Sequence, residues 1–134
     1  MVFAIIDTNV LVSYFMSKDC GPPAWVVRNA LGGKITPIFS SYILNEYHKV
    51  LTRKKFNISY SSVISVIDAL QSFGFGIEVI DSMAVLPDKD DIPIYEITLS
   101  TRDIDSYLVT GNTKHFPKAD FVVTPREFMD ILEN

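Results

Sequence analysis

A single cysteine, Cys20, leaves no partner for an internal disulfide, so nothing points to an oxidising compartment. Histidine is nearly as scarce. His48 and His115 are the only two, and with no cysteine pair near them a zinc site has little support. No apolar run approaches the ~20 residues that a membrane-crossing helix needs. The opening MVFAII carries no basic residue and meets Asp7 too soon for a signal peptide, so the expected compartment is cytoplasmic, with no membrane partner. GxSxG, P-loop and GxGxxG patterns are all missing, which removes the commonest nucleophile-elbow, nucleotide and dinucleotide sites. A surplus of cations is missing too. The net charge of −4 argues against broad electrostatic adhesion to nucleic acid. It does not exclude an enzyme acting on nucleic acid, because a carboxylate cluster offset by bound divalent cations gives the same sum.

What is present is an ordinary globular mixture, 48% apolar and 21% charged over 134 residues, which suits one domain spanning 1–134. Such a chain buries roughly two-thirds of its unfolded surface and needs no staple. There is no repeat, low-complexity stretch or linker. Strand and helix signals alternate, predicting an α/β domain with a mainly parallel sheet. Val2 to Ile6 is a short branched run, the mark of a buried strand. Asp7-Thr8-Asn9 breaks it, and Val10 to Met16 reads as a helix. Pro22 and Pro23 open a second helix that Gly32 stops. Thr36 to Phe39 reads as a strand, followed by a helix capped by Ser40 or Ser41, with Ile43, Tyr47, Val50 and Leu51 as its apolar stripe. Ser59 to Phe73 is a helix with Val63, Ile64, Ile67 and Leu70 facing inward, and Ile77 to Ile80 a third strand. Asp90 or Asp91 stands where a helix cap belongs, with Pro93 in the first turn. Ser106 to Val109 and Phe121 to Val123 complete the strands. Thr124-Pro125-Arg126-Glu127 is a capping box opening a last helix that packs through Phe128, Ile131 and Leu132.

Ligands of an open parallel sheet bind outside the carboxyl ends of the strands. Asp7 follows the first strand, Asn112 follows the fourth, Asp91 opens the helix before the fourth, and Glu46 lies early in the helix after the second. Converging oxygens of this kind suit Mg²⁺ or Mn²⁺, and so close a set of like charges needs a cation. That is equipment for phosphodiester hydrolysis. Each residue also has a plain structural role open to it. Asp7, Asp90 and Asp91 can cap helices, Glu46 can be a solvated surface residue, and Asn112 after Gly111 can serve a turn. The functional case rests on their meeting at one sheet edge. Two clusters of basic residues stand out, Lys49, Arg53, Lys54 and Lys55, and Lys114, His115 and Lys118. They favour a helix dipole or contact a nucleic-acid backbone beside the acids.

These stretches, taken in order, resemble PIN-domain ribonucleases. VFAIIDTNVLVS resembles the first motif, SSYILNEYHKVL the second with Glu46 at the acidic position, and DKDDIPIYEITLS the third with Asp91 as the metal-binding carboxylate. SYLVTGNTKHFP resembles the fourth motif and FVVTPREFMDIL the last strand and helix, so the likeness covers nearly the whole chain. It is strongest to the branch that forms toxins of toxin–antitoxin pairs. The resemblance implies a three-layer α/β/α sandwich with a five-stranded parallel sheet of order 3-2-1-4-5. It implies Mg²⁺ or Mn²⁺, cleavage of single-stranded RNA, frequent homodimers and often a small antitoxin partner. Two departures stand out. Asn112 occupies the fourth acidic position, where many relatives carry Asp, and Asp105 precedes the fourth strand, where it can supplement or replace the missing carboxylate.

The expected roles follow. Asp7 and Asp91 hold the metal, Glu46 positions or deprotonates the attacking water, and Asn112, with or without Asp105, completes the coordination. Thr8, Asn9, Ser41, Asp90, Thr110, Lys114 and His115 support these groups or contact phosphate. Two alternatives stand beside this. One is a PIN fold that has lost catalysis and only binds RNA or protein, which the Asn112 departure keeps open. The other is a receiver-like phosphoacceptor using Asp81 after the third strand, although such domains carry paired acids and a lysine where this chain has Asp7-Thr8 and Thr124-Pro125-Arg126.

Overall fold

The computed structural model describes residues 1–17, 20–78, 86 and 88–134. Among them, five strands form one parallel sheet: β1 (Val2–Ile6), β2 (Ile35–Phe39), β3 (Phe75–Gly76), β4 (Tyr107–Val109) and β5 (Val122–Val123), in the order β3-β2-β1-β4-β5. This is the order that the family resemblance implies. A receiver-like domain would run 2-1-3-4-5, so the phosphoacceptor alternative falls on topology; Asp81 itself lies outside the described residues.

The helices are α1 (Thr8–Met16), α2 (Gly21–Leu31), α3 (Ser41–Leu51), α4 (Tyr60–Phe73), α5 (Ile92–Ser100) and α6 (Pro125–Glu133). Steps from β1 to β2 to β3 run one way across the sheet, and the step from β3 to β4 runs back past β1. Right-handed crossovers therefore put α5 on the opposite face from the earlier helices. α5 packs on β1 and β4, while α2 packs against α1, α4 and α6. The result is the expected α/β/α layering.

The core follows the sequence pattern closely. Ala4, Ile5 and Ile6 are buried in β1 because both sheet faces are covered. In α4 the buried face is Val63, Val66, Ile67 and Leu70, so Val66 rather than Ile64 completes the stripe. In α6, Phe128 is buried and Leu132 packs partly on the core, but Ile131 is exposed, contrary to expectation. One turn separates Phe128 from Leu132, which leaves Ile131 on the flank.

The third strand is shifted. It was expected over Ile77 to Ile80 and is found at Phe75–Gly76, with Ile77 N still donating to Phe39 O at 2.8 Å. Val79 and Ile80 lie outside the described residues. The early start traces to Gly74, which ends α4 pressed on Pro37 of β2: a Cβ there would lie 2.1 Å from the Pro37 carbonyl oxygen. That contact brings the chain onto β2 at once. Ser40, not Ser41, caps α3, accepting from Ile43 N at 3.2 Å. None of the described helices is long and apolar enough to cross a membrane.

Candidate active site

Strand register determines what meets at the carboxyl edge. Ala4 pairs with Pro37, Ile6 with Val109, and Val109 with Val123. Continuing each register past the strand ends aligns Ser40, Asp7, Thr110 and Thr124 in one row. All four are polar, and each follows an apolar strand. Asp7 sits between β1 and β4, where the strand order reverses, the place where open α/β sheets bind ligands.

Asp7 is almost buried, at 7% exposure. Its Oδ1 accepts from Thr8 N at 2.8 Å and caps α1. Its Oδ2 accepts from the Thr110 hydroxyl at 2.8 Å and from Asn9 Nδ2 at 3.1 Å. The helix cap thus uses one oxygen, and the bonds from Thr110 and Asn9 hold the other. Burial pushes the Asp7 carboxyl above the usual range, and the bonds from Thr110, Thr8 and Asn9 only partly offset it. Beneath it, the buried Tyr47 hydroxyl donates to the Ile6 carbonyl, fixing the strand end to α3.

The second half of the site comes from the turn before α5. Asp88, rather than Asp90 or Asp91, accepts the capping bond, from Asp90 N at 2.9 Å, and opens a 3-10 turn over Lys89–Asp91 that runs straight into α5. Asp91 makes no side-chain capping bond. Its Oδ2 instead lies 3.2 Å from His115 Nδ1. Burial raises the Asp91 carboxyl, and the charges of Asp7 and then Asp88 raise it further, while His115 pulls it back. Asp7 and Asp91 are thus close enough to repel. Glu46 joins the group through Tyr42, one helical turn before it. The Tyr42 phenol is pushed up first by burial and then by Glu46, Asp90, Asp88 and Asp91, so the four carboxylates lie within electrostatic reach of its side chain.

A family model for the PIN domain matches residues 4–114 of the chain. The chain belongs to the PIN-domain family. Its fold is of nuclease type, and PIN domains typically bind divalent metals. No curated protein and no solved structure matches it.

This PIN domain brings Asp7, Thr8, Asn9, Glu46, Asp90, Asp91, Thr110 and His115 to one edge. Asn112 follows β4 there, and its N–H donates to the Thr110 hydroxyl at 3.0 Å. Asp105 is not brought in. It is an exposed residue in a left-handed conformation (φ 53°) before β4, hence at the opposite edge of the sheet. Ser41 is engaged elsewhere: its hydroxyl and N–H donate to Glu78 at 2.7 and 3.0 Å, holding that carboxyl below its usual range. Lys114 and Lys118 line a groove of about 640 Å³ with Phe116 and Val122, along the outer flank of β5. Arg53, Lys54 and Lys55 lie beyond the far end of α3, ~16 Å along the helix from the site edge.

Tyr42 and Asp88 were not singled out from the sequence, and Tyr47 was read only as part of the apolar stripe of α3. Tyr42 had a signal, since it stands four residues before Glu46 on one helix face. Asp88 had one as well, in the Asp-x-Asp spacing of a turn that caps itself.

The donor chemistry suits a hard divalent cation: carboxylate and amide oxygens, two of the carboxylates held at a cost as anions. Among the described residues, however, no three His, Cys, Asp or Glu side chains close into a metal-holding group.

Proposed function

We propose that this PIN domain is a Mg²⁺- or Mn²⁺-dependent endoribonuclease that hydrolyses single-stranded RNA, acting as the toxin of a toxin–antitoxin pair. The observation that carries the reading is the approach of Asp7 and Asp91, from two separate elements, with burial raising both carboxyls and the charge of Asp7 raising Asp91 further.

In this reading Asp7 and Asp91 hold the cation, with the Asn112 amide oxygen as a neutral third donor. The bound ion would offset the carboxylate charge, polarise the scissile phosphate and ease deprotonation of water. Glu46 accepts a proton from the attacking water as its oxygen adds to phosphorus, and the bond to the ribose oxygen breaks as that oxygen takes up a proton from solvent. Asn9 and Thr110 fix the Asp7 carboxylate, and His115 holds Asp91. Asp105, Ser41 and the basic residues beyond α3 drop out of the proposal. A small antitoxin protein and a homodimer belong to the same reading, supported by the likeness of the ordered motifs to that branch.

The absence of a closed three-ligand group among the described residues favours a second reading, a domain that binds RNA without cutting it. One experiment separates them. Single-stranded RNA is incubated with wild type, Asp7→Asn and Glu46→Gln in Mg²⁺, Mn²⁺ or EDTA. Wild type is expected to cleave only with metal, and either substitution to slow cleavage by about 10²-fold or more. Cleavage that survives EDTA, or equal cleavage by wild type and Asp7→Asn, would sink the nuclease assignment. RNA binding without cleavage in Mn²⁺ would leave the binding module.

A further inference from the structure

Beside the acidic site, on the far side of Asn9 from Asp7, lies a pocket of about 210 Å³. Its walls are Val10 of α1, Pro22 and Pro23 of α2, and Pro125 of α6. The prolines occupy first helical turns, where a missing N–H costs nothing, so they form rigid walls without unpaired donors. The pocket is preformed and almost wholly apolar.

Three observations indicate its occupant. The first is continuity with the acids. Asn9 lines the pocket, yet its Nδ2 donates to Asp7 Oδ2 at 3.1 Å and its Oδ1 accepts from Gly111 N at 2.9 Å. A group in the pocket is one side chain away from Asp7. The second is charge. Arg126 stands at the rim, and its bond to Asp130, 3.4 Å from Nε to Oδ1, is an exposed i,i+4 pair of the kind that is worth little. It can exchange that partner for a phosphate, which the carboxylates nearby would repel. The third is size. The volume falls below the ~300 Å³ of ordinary small-molecule sites and suits one flat ring system rather than a folded segment. Bases unstacked from a single strand are such groups, and they bind apolar faces with little regard to sequence.

We propose that this pocket takes one unstacked nucleobase of a single-stranded RNA, with Arg126 on the adjoining phosphate, and so sets which bond lies over Asp7. The inference rests on the RNA reading above, and it specifies how that strand is held. Selectivity among bases is weak, because both ends of the Asn9 amide are engaged, as above, and the Thr124 hydroxyl accepts from Glu127 N at 3.1 Å, so beyond Arg126 the Ser13 hydroxyl is left to read a base edge. Pro125 and Arg126 lie beyond residue 114, where the family match ends.

The test is an abasic scan. Fluorescence anisotropy measures binding of a short labelled RNA to the full chain in EDTA, one nucleotide at a time being replaced by an abasic unit. Wild type is expected to lose about 5- to 100-fold at one position and little elsewhere. Ser13→Phe, which fills the pocket from α1, should bind weakly and show no position dependence. Arg126→Ala, on the surface, should weaken binding several-fold while keeping the sensitive position. A flat scan on a wild-type chain that binds RNA overturns the pocket and leaves the nuclease reading intact if Mn²⁺ still supports cleavage. A protein segment as the true occupant would give that same flat scan. A single sensitive position without any cleavage in Mn²⁺ retains the pocket and overturns the nuclease. No binding to any single-stranded RNA, with or without Mn²⁺, overturns both.

Discussion

Both oxygens of Asp7 are engaged within the chain, one by Thr8 N and one by Thr110 and Asn9, and still its carboxyl is raised. Desolvation outweighs three hydrogen bonds. Asp91 is raised as well, with less burial and with the charge of Asp7 added. The consequence for stability has a definite sign. Each carboxyl binds its proton more tightly in the folded state than in the unfolded chain. Its stabilising contribution is full below the ordinary value of 3.8 and is lost as pH rises through the raised folded pKa. Asp91→Asn removes that loss and keeps an oxygen for His115. In thermal melts of metal-free protein, the variant's Tm should therefore gain on wild type as pH climbs from 3.8, then run parallel above the folded pKa. Added Mn²⁺ should reverse the order, since a ligand at 100 times its Kd adds about 2.7 kcal/mol to the state that binds it. A constant offset between the two proteins across pH would show that Asp91 is not strained as an anion. Asp7 and Glu46 were legible in the sequence because a strand end and a helix start fix their edge. Which acid caps the turn before α5 was not, because Asp88 takes the bond that Asp90 or Asp91 was expected to accept.

Elements were legible wherever local chemistry sets both ends. Thr124 and Glu127 form the expected reciprocal capping box, and β1 stops at Asp7 as predicted. β3 was misplaced because its start depends on a contact between distant segments, Gly74 against Pro37. Asp105 was misjudged for another reason. The rule that carried Asp7 and Asn112 to the site, that residues after parallel strands share one edge, sends a residue before β4 to the other edge. Applied evenly, it excludes Asp105 without a structure. The Gly74 contact is testable. Gly74→Ala places a methyl group against Pro37 backbone, which cannot give as a side chain would. We expect a loss of about 1–3 kcal/mol, seen as a fall in Tm of roughly 4 °C per kcal/mol. Pro37→Ala trims only the ring and leaves the carbonyl, so it should not rescue the double variant fully. An unchanged Tm for Gly74→Ala would mean that α4 and β2 do not meet as closely as described.

At the scale of the whole molecule, charge is segregated along α3. Tyr42, near its start, lies within electrostatic reach of Glu46, Asp88, Asp90 and Asp91, while Lys49, Arg53, Lys54 and Lys55 are exposed at and beyond its end. Lys114 and Lys118 face the groove beside β5. A strand lying over the acids meets Lys89 and His115 there rather than the lysines beyond α3, and a net charge of −4 adds no general attraction. RNA binding should then depend only weakly on salt. For single strands the slope of log K against log salt is about −0.7 per neutralised phosphate, so one to three contacts predict roughly −0.7 to −2. Titrating KCl from low to physiological concentration at fixed Mn²⁺, with Asp7→Asn to prevent cleavage, measures it. The double variant Lys54→Glu with Lys55→Glu should leave both slope and affinity within about twofold, because distant exposed charges are screened beyond ~8–10 Å. Arg126→Ala should flatten the slope by about 0.7, the share of one phosphate. A slope steeper than about −4, or loss of binding in the lysine variant, would instead place the strand along the basic end of α3. The acids at the carboxyl edge would then be too far from it to act on its phosphates.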